Sequence, residues 1–359
     1  MVDNDCPCCQ PPTQIQRGRS TEFIYVAGRE TVASVQYGVI WTVTNAGTLT
    51  RFYPATTGTA DLNSRLIAHV DADRQGNIYF TVFNGSTSLN DVYCVDSLGV
   101  LKWSVQIATT TRNDIIGCAV SPDGHVYVTA SSTGHIWKLD ANTGAEITTG
   151  WPYQLTGASS MNAVCVDQSG NVYAGGARNS GVPGNTMVSL EPDGTVRWLV
   201  DLLGAGEPAA GAITDISINL DNTELAVSKS QSGGSRADFF EMDPATGAFT
   251  AHSTTQFSGC FCSEYSIAGV RYIGGQAGLV KNGGIFPSFY QPAGRTMQGM
   301  ATSRTEDIYL VQTKSGSVTD EGIVRVDTTG TKVWGVSMTT ANVPRWCVLG
   351  SGHIGAWGL

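Results

Sequence analysis

The sequence has few charged side chains, few lysines and no long apolar run. Asp, Glu, Lys and Arg make up 14% of the 359 residues, well below the roughly 25% of an average soluble protein. The six lysines are scattered and no basic run occurs, so the clustered cations that bind phosphates or anionic membranes are missing. No stretch of about 18 apolar residues is present, which excludes a membrane-spanning helix. Nucleic acid and lipid are therefore disfavoured as partners.

The N-terminus also lacks the basic and apolar segments of a secretory signal. We therefore expect the protein in the cytoplasm or in a virion. In a reducing compartment, isolated cysteines within strand-like segments are expected as reduced, buried thiols. This expectation covers Cys94, Cys118, Cys165 and Cys347.

Residues 1–19 form a polar arm, rich in Pro and Cys, without any hydrophobic period, and residues 20–359 are predicted to form one domain. Within the arm, Cys6, Cys8 and Cys9 place three thiols in four positions. Three alternatives stay open: the start of a structural zinc site with a fourth ligand from elsewhere, a disulfide crosslink within or between chains, and neither. No other cofactor is predicted. We expect protein partners to dock partly through this arm. A homo-oligomer of the chain is a further expected assembly.

The stretch Cys118–Ile147 shows the pattern that organises the rest of the chain. Two short runs of β-branched and aromatic residues, Val126–Thr129 and Ile136–Leu139, lie between clusters of turn residues. Strand-forming runs separated in this way predict an antiparallel meander.

A short signal, a small residue followed two positions later by an apolar and then an aromatic residue, recurs along the chain. A repeat of 37–53 residues with about four strands per unit is typical of propeller blades. We therefore predict an all-β propeller of eight blades, with Phe23–Ala27 completing the last blade so that both termini close the ring; seven blades is the alternative. The copies, including two that lack the aromatic, begin at Gly38, Gly76, Gly124, Gly170, Thr223, Gly269, Glu306 and Gly352.

An acidic residue ends a later strand of most units, where its side chain is expected to satisfy turn amides. In three units a Trp follows the acid seven positions later, and an indole there is expected to pack between neighbouring blades. The pairs are Asp96 and Trp103, Glu191 and Trp198, and Asp327 and Trp334.

The segments Val95–Trp103 and Val326–Trp334 resemble the tryptophan-docking repeats of PQQ-like, quinoprotein-type β-propellers, and Gly124–Val128 is similar to NHL repeats. The resemblance implies the fold, whereas such repeats occur in enzymes and in scaffolds alike. In the PQQ alcohol dehydrogenases that the repeats resemble, vicinal cysteines lie inside the propeller beside the cofactor. Here Cys8 and Cys9 precede the first blade, so PQQ is not expected.

No catalytic motif stands out in the sequence. Neither Gly-x-Ser-x-Gly nor His-Glu-x-x-His occurs, and His125 and His135 are expected at opposite ends of one hairpin. Propeller lactonases and lyases place acids, Asn or His on the central channel. Candidates for this role near predicted inner strands, with turn capping as the alternative, are Asp71, Asp73, Asp167, Asp215 and Asn219.

Aromatic residues in less regular stretches are candidates for ligand contact, with packing at a blade edge as the alternative. They are Trp151, Tyr153, Phe286, Phe289 and Tyr290.

The leading functional prediction is a non-enzymatic propeller that serves as a structural or protein-interaction module. The low charge and the abundance of Thr, Ser, Gly and Ala suit a component of a large assembly, such as a bacteriophage virion or tail. The alternatives are a propeller enzyme of the lactonase or lyase type and a receptor- or glycan-binding propeller.

Overall fold

The computed structural model describes residues 23–56, 62, 65–83, 91–107, 115–130, 133–178, 184–202, 211–231, 237–255, 260–275, 278–282, 290, 295–314, 320–338 and 342–349. Turn-forming residues separate short runs of apolar and β-branched residues throughout, and each run forms a strand. The strands are β1 (Phe23–Val32), β2 (Val35–Thr44), β3 (Leu49–Tyr53), β4 (Leu66–Ala72), β5 (Ile78–Phe83), β6 (Val92–Val95), β7 (Leu101–Val105), β8 (Ile115–Val120), β9 (His125–Ala130), β10 (His135–Asp140), β11 (Tyr153–Gln154), β12 (Ala158–Val166), β13 (Val172–Arg178), β14 (Met187–Leu190), β15 (Val196–Val200), β16 (Gly211–Ile218), β17 (Leu225–Gln231), β18 (Ala237–Met242), β19 (Phe249–Thr255), β20 (Cys260–Tyr265), β21 (Arg271–Gly275), β22 (Gly278–Lys281), β23 (Arg295–Thr302), β24 (Ile308–Lys314), β25 (Asp320–Val326), β26 (Lys332–Met338) and β27 (Asn342–Leu349).

These strands form seven antiparallel sheets in the described part of the chain, and each sheet is one blade. Blade 1 consists, from the inside outward, of β27, β1, β2 and β3. Blades 2 to 7 follow in chain order as β4–β7, β8–β11, β12–β15, β16–β19, β20–β22 and β23–β26. The inner strands contact one another cyclically in the order β27, β4, β8, β12, β16, β20 and β23, and β23 contacts β27 again. The all-β propeller is therefore confirmed.

The prediction of eight blades was wrong, and seven, the stated alternative, is correct. The repeated signal lies on the second strand in blades 2 to 7, but the copy at Gly38–Trp41 lies on β2, the third strand of blade 1. The second strand of blade 1 is β1, and its inner strand is β27 from the other end of the chain. The first and the last repeat unit share one sheet. Counting them as separate blades therefore gives eight blades where the ring has seven. The copy at Gly352 lies outside the described residues.

Closure of the ring by both ends of the chain is confirmed. Strand β1 pairs with β27 from Ile24 opposite Leu349 to Glu30 opposite Asn342. This pairing satisfies backbone groups that would otherwise be exposed on two strand edges. The arm predicted at residues 1–19 lies outside the described residues.

The predicted docking of tryptophans between blades is also confirmed. Trp103 and Trp198 are buried and Trp334 is half-buried. Each indole contacts the second-strand tyrosine of its own blade, with ring centroids about 6 Å apart. Each indole N–H donates to a backbone carbonyl in a turn of the following blade, so that every ring links two blades. The bonds are Trp103 to Ala141 at 2.9 Å, Trp198 to Pro244 at 2.9 Å and Trp334 to Asn45 at 2.8 Å.

The acid at the end of the third strand caps its turn in blades 2, 3, 5 and 7, as predicted. The acids are Asp96, Asp140, Asp243 and Asp327, and each accepts a turn amide. Blade 4 differs because Glu191 forms an ion pair with Arg197 at 3.2 Å. There Asp193, two residues further on, accepts the Thr195 amide instead.

These caps predict an acid-sensitive contribution to stability. Hydrogen bonds hold the pKa of Asp140, Asp243 and Asp327 below the usual value, chiefly from the Thr143 hydroxyl, the Ala245 amide and the Thr329 hydroxyl respectively. A pKa that is lower in the folded state contributes stability above the unfolded value of about 3.9, and this is lost as the pH falls through the folded pKa. We expect the urea midpoint to fall between about pH 5 and pH 2, and to fall less in the triple variant D140N/D243N/D327N. An equal fall in both proteins would contradict this assignment.

The boundary between blades 5 and 6 is built differently from the others. Its buried apolar cluster is the smallest, with Ala226, Phe239, Tyr265, Ile273 and Val280. A guanidinium fills the space: Arg271 of blade 6 reaches Glu224 at 2.6 Å and Glu241 at 2.5 Å, both from blade 5. This boundary therefore has an ion pair between blades and, among the described residues, the smallest apolar cluster.

Candidate functional site

The central channel holds ionisable side chains from several inner strands, as expected for its candidate residues. Asp71 on β4 accepts the amide of Val120 on β8 at 2.8 Å. Asp215 on β16 accepts the amide of Ser263 on β20 at 2.7 Å. Each carboxylate also accepts the amide of the residue that follows it in the chain. Both acids are therefore used to join the inner strands of adjacent blades.

Further polar groups line the same channel: His69, Cys165, Ser217 and Glu264. The cavity among these side chains measures about 20 Å³, close to the volume that one water requires. Burial, with the nearby Asp215 and Asp167 adding to it, raises the pKa of the Cys165 thiol well above its usual value. This thiol therefore stays protonated at neutral pH and is a poor nucleophile.

The other three channel candidates are turn caps. Asp73 accepts the amide and the side-chain N–H of Asn77, and the Tyr79 hydroxyl donates to it at 2.9 Å. Asp167 repeats this network in blade 4. Asn219 accepts the amides of the turn in blade 5. The alternative interpretation of these residues as caps is the one that the geometry supports.

Blade 3 brings together Ser121, Asp123 and His125, a set of residue types that occurs in hydrolases. The order of contacts differs from a catalytic triad, however, because Ser121 donates to Asp123 and His125 meets Asp123 at 2.9 Å on its other oxygen. The serine is fully buried, and its hydroxyl contacts the backbone N–H and C=O of His125, both at 3.2 Å, rather than the imidazole. Because a nucleophilic serine needs the imidazole as its base, this trio works as a turn cap. His135 lies at the opposite end of the hairpin from His125, as predicted.

The predicted ligand-contacting aromatics have separate places in the fold. Trp151 is buried and its indole N–H points to the Pro192 carbonyl of blade 4 at 3.3 Å, so it docks blades 3 and 4 and is not presented to solvent. Tyr153 is half-buried on β11 and packs against the apolar cluster between blades 3 and 4 that contains Trp151. Tyr290 is half-buried and pairs with Leu279. Phe286 and Phe289 lie outside the described residues.

The cysteine predictions are confirmed only in part. Cys94 and Cys118 are buried free thiols, and burial raises the pKa of Cys94 to about 12. Cys165 is a free thiol but is only half-buried. The side chain of Cys347 and the candidate metal or crosslink residues Cys6, Cys8 and Cys9 lie outside the described residues. Within the described ranges, no three His, Cys, Asp or Glu side chains form a group that could hold a metal ion.

An apolar patch on the outer hairpin of blade 2 was not predicted from the sequence. Leu98, Val100 and Leu101 are exposed by 83%, 59% and 42%, and we call these three residues the rim patch. Large apolar side chains that are exposed together on one hairpin are unusual on a monomer surface. The signal was present in the sequence, since the corresponding turns of blades 4 and 7 read Asp-Gly-Thr-Val and Thr-Gly-Thr-Lys, whereas blade 2 reads Leu-Gly-Val-Leu.

Several solved structures share this fold. A quinoprotein alcohol dehydrogenase-like protein from Bacteroides thetaiotaomicron matches with a TM-score of 0.61 and 10% identity, over 92% of this chain and 78% of that one. Virginiamycin B lyase from Staphylococcus aureus matches with 0.53 and 12%, over 78% and 86%. BamB from Moraxella catarrhalis matches with 0.50 and 14%, over 87% of each chain. At such identities the likeness concerns the fold alone.

No family model matches the sequence, and no curated protein matches it either. The tryptophan-docked blades and the structural likeness define the class: a seven-bladed β-propeller that resembles quinoprotein-type propellers at the level of its repeats. No helix of the described part is both long and apolar enough to cross a membrane.

Proposed function

We propose that this chain is a non-enzymatic propeller that binds a protein partner through the rim patch. The observation that carries the proposal is the exposure of Leu98, Val100 and Leu101 on one hairpin of the outer edge. Burying one such side chain in an interface stabilises the complex by about 1.5–3 kcal/mol. Three of them together supply the apolar centre that protein interfaces require.

The turn itself does not require these side chains. In blade 7, Thr329 and Thr331 occupy the positions of Leu98 and Val100, and Asp327 caps the same turn that Asp96 caps in blade 2. Both turns also use a glycine with positive φ, Gly99 and Gly330. Since the same backbone forms with threonines, a role outside the fold accounts for the apolar residues in blade 2.

The outer strand β7 beside the patch strengthens the case for a protein partner. It is the last strand of its sheet, so one of its edges presents backbone N–H and C=O groups. An extended segment of a partner can pair with such an edge while its apolar side chains cover neighbouring residues. The rim patch therefore offers both main-chain and side-chain contacts to a protein.

Replacing two residues of the patch by those of blade 7 tests the proposal. The variant L98T/V100T is expected to fold as the wild type does and to lose at least tenfold of the partner that co-purifies from the native source. The matched control is Leu199→Thr, which changes a leucine on the outer strand of blade 4 that is exposed by 42% and is expected to keep the partner. Equal recovery by wild type and L98T/V100T would contradict the proposal, as would a wild type that is monomeric and recovers no partner.

We further propose that the partner belongs to a large assembly such as a bacteriophage virion or tail. The low charge of 14% and the abundance of Gly with Thr, Ser and Ala support this setting. Capsid or tail genes beside the coding gene are the expected observation. A neighbourhood of metabolic genes would count against it.

A lyase-type enzyme is the second candidate, because His69, Asp71, Asp215 and Glu264 converge on the channel. A lyase that acts on a streptogramin B antibiotic is among the proteins of similar fold. The test is ring opening of quinupristin and of a panel of lactones, followed by mass spectrometry. Turnover that is lost in Glu264→Gln would favour this candidate, and its absence would favour the interaction module.

A further inference from the structure

A groove between blades 2 and 3 contains a cavity of about 450 Å³, within the roughly 300–1,000 Å³ of small-molecule sites. Its blade 2 wall carries Gln75, Asn77 and Lys102, and its blade 3 wall carries Asn142. Tyr79 and Ala141 line its base. The turns after the first strands of blades 2 and 3 and after the third strand of blade 3 line the groove, and the rim patch lies on the turn after the third strand of blade 2.

The repeat explains why this groove is open. In blades 3, 6 and 7 the third-strand residue opposite the second-strand tyrosine is long and reaches a carbonyl of the next blade. Lys138 reaches Pro192 at 2.7 Å, and Arg325 reaches Asn45 at 2.9 Å. Lys281 reaches Thr328 at 3.4 Å in the same way.

In blade 2 the corresponding residue is Cys94, which lies opposite Tyr79. Its short side chain cannot cross the boundary, and the Tyr79 hydroxyl itself lies 3.3 Å from the Ala141 carbonyl. The place that a lysine or an arginine fills in blades 3, 6 and 7 is therefore not filled from the third strand of blade 2. Blade 4 also has a short residue there, Ser189 opposite Tyr173, but Arg197 of its fourth strand reaches both hydroxyls, at 2.9 Å and 3.1 Å.

The groups around the cavity decide the chemistry of its ligand. Lys102 donates to the neutral Asn77 amide oxygen at 3.2 Å, which leaves further N–H bonds of its ammonium for a ligand. Gln75 and Asn142 are exposed, and their side-chain amides can both donate and accept hydrogen bonds. The Asp73 carboxylate already accepts hydrogen bonds from the Asn77 side chain and the Tyr79 hydroxyl.

The charge around the groove disfavours an anionic ligand. Asp73 lines it, and Asp96 and Asp140 cap the two adjoining turns, against the one ammonium of Lys102. A phosphate or carboxylate would meet this excess of negative charge. Hydroxyl groups, which donate and accept at once, match a wall of amides and one ammonium without a charge of their own.

We propose that this groove binds a neutral saccharide of one or two rings, with Gln75, Lys102 and Asn142 as its hydrogen-bonding residues. Lys102 directly follows Leu101 of the rim patch in the chain, but sugar binding does not require the protein partner proposed above.

Titration of the purified full chain with sugars, followed by saturation-transfer NMR and calorimetry, tests the site. The probes are D-glucose, D-galactose, N-acetyl-D-glucosamine and lactose, with D-glucuronate as the anionic comparison. We expect saturable binding of at least one neutral sugar, and binding of glucuronate at least tenfold weaker than that of glucose. The variant Q75A/N142A, which changes only exposed side chains, is expected to bind the sugar at least tenfold more weakly.

The matched control is Ser169→Ala, which changes the turn residue of blade 4 that corresponds to Gln75 and is expected to keep full affinity. Cys94→Lys supplies the filling residue of blade 3 and is expected to abolish binding while circular dichroism stays unchanged. The proposal is overturned if none of the neutral sugars binds saturably. It is also overturned if Q75A/N142A binds as the wild type does, whatever the outcome for Cys94→Lys.

Discussion

Replacing Arg271 by Met is expected to lower the free energy of unfolding by about 3 kcal/mol, because it leaves two carboxylates facing each other without their cation. The guanidinium lies 2.6 Å from Glu224 and 2.5 Å from Glu241, and its centre is 4.7 Å from the ring centroid of Phe239. Burial raises the pKa of Tyr265, so its hydroxyl stays protonated and donates to Glu224 at 2.7 Å. The loss concerns the boundary with the smallest apolar cluster among the described residues.

Urea denaturation of Arg271→Met and of a matched control measures this effect. The control is Arg197→Met in blade 4, whose carboxylate partner Glu191 has 46% of its side chain exposed. Its other hydrogen-bond partners are the neutral hydroxyls of Tyr173 and Ser189, so we expect it to cost about 1 kcal/mol. Adding E224Q and E241Q to Arg271→Met removes the uncompensated charges and is expected to restore part of the loss. If the two arginine variants lose the same stability, the boundary between blades 5 and 6 has no special dependence on charge.

Replacing Trp198 by Ala is expected to cost about 4 kcal/mol, in the range of large-to-small changes in a core. The indole is largely buried between blades 4 and 5, and it donates to Pro244 at 2.9 Å. The turn of blade 5 fits closely over the ring, since a Cβ added to Gly247 would lie 2.7 Å from it. Shortening the side chain therefore leaves a cavity and an unpaired carbonyl at once.

Trp198→Phe separates the two contributions. Blade 1 already uses Phe52 seven residues after Asn45, where blades 2, 4 and 7 have the tryptophan, and Phe52 packs on Tyr25 with ring centroids 4.8 Å apart. The phenylalanine variant keeps the packing and loses the N–H, so we expect a cost of about 1 kcal/mol. Thermal unfolding of both variants by calorimetry checks the ratio. Equal losses would show that the hydrogen bond, and not the packing, holds the two blades together.

The tryptophans could be predicted because their position is tied to a turn of constant length. The seven residues from Asp96 to Trp103 span one turn and about half of the fourth strand. A repeat with the same turn therefore places its tryptophan at the same position relative to the next blade. Trp151 docks a blade in the same way but follows Asp140 by eleven residues. It comes from an irregular connection of variable length, and a fixed spacing could not find it.

The number of blades was mispredicted for a topological reason. A short sequence signal does not show which strand of a blade carries it. The copy at Gly38–Trp41 lies on a third strand, whereas the copies in blades 2 to 7 lie on second strands. Only the pairing of β27 with β1 reveals that the ends share one sheet. That pairing joins residues more than 300 positions apart, beyond the reach of local periodicity.

The candidate site was predicted less well than the fold. Acids near the inner strands were predicted, but two of them that lie only two residues apart have different roles. Asp71 accepts an amide of the next blade, whereas Asp73 accepts hydrogen bonds within its own blade. Their roles depend on which backbone amides face them, which is a property of the assembled ring. The rim patch, in contrast, was visible by comparing Leu98 with its counterpart Thr329 in the repeat.

The most direct test of the interaction function is photocrosslinking from defined positions of the rim in the native source. A photoreactive amino acid is placed at Leu98 in one variant and at Thr329, the matched turn position of blade 7, in another. We predict one dominant crosslinked protein from position 98 and none from position 329. Adducts of equal yield from both positions, or no adduct from position 98, would contradict the account.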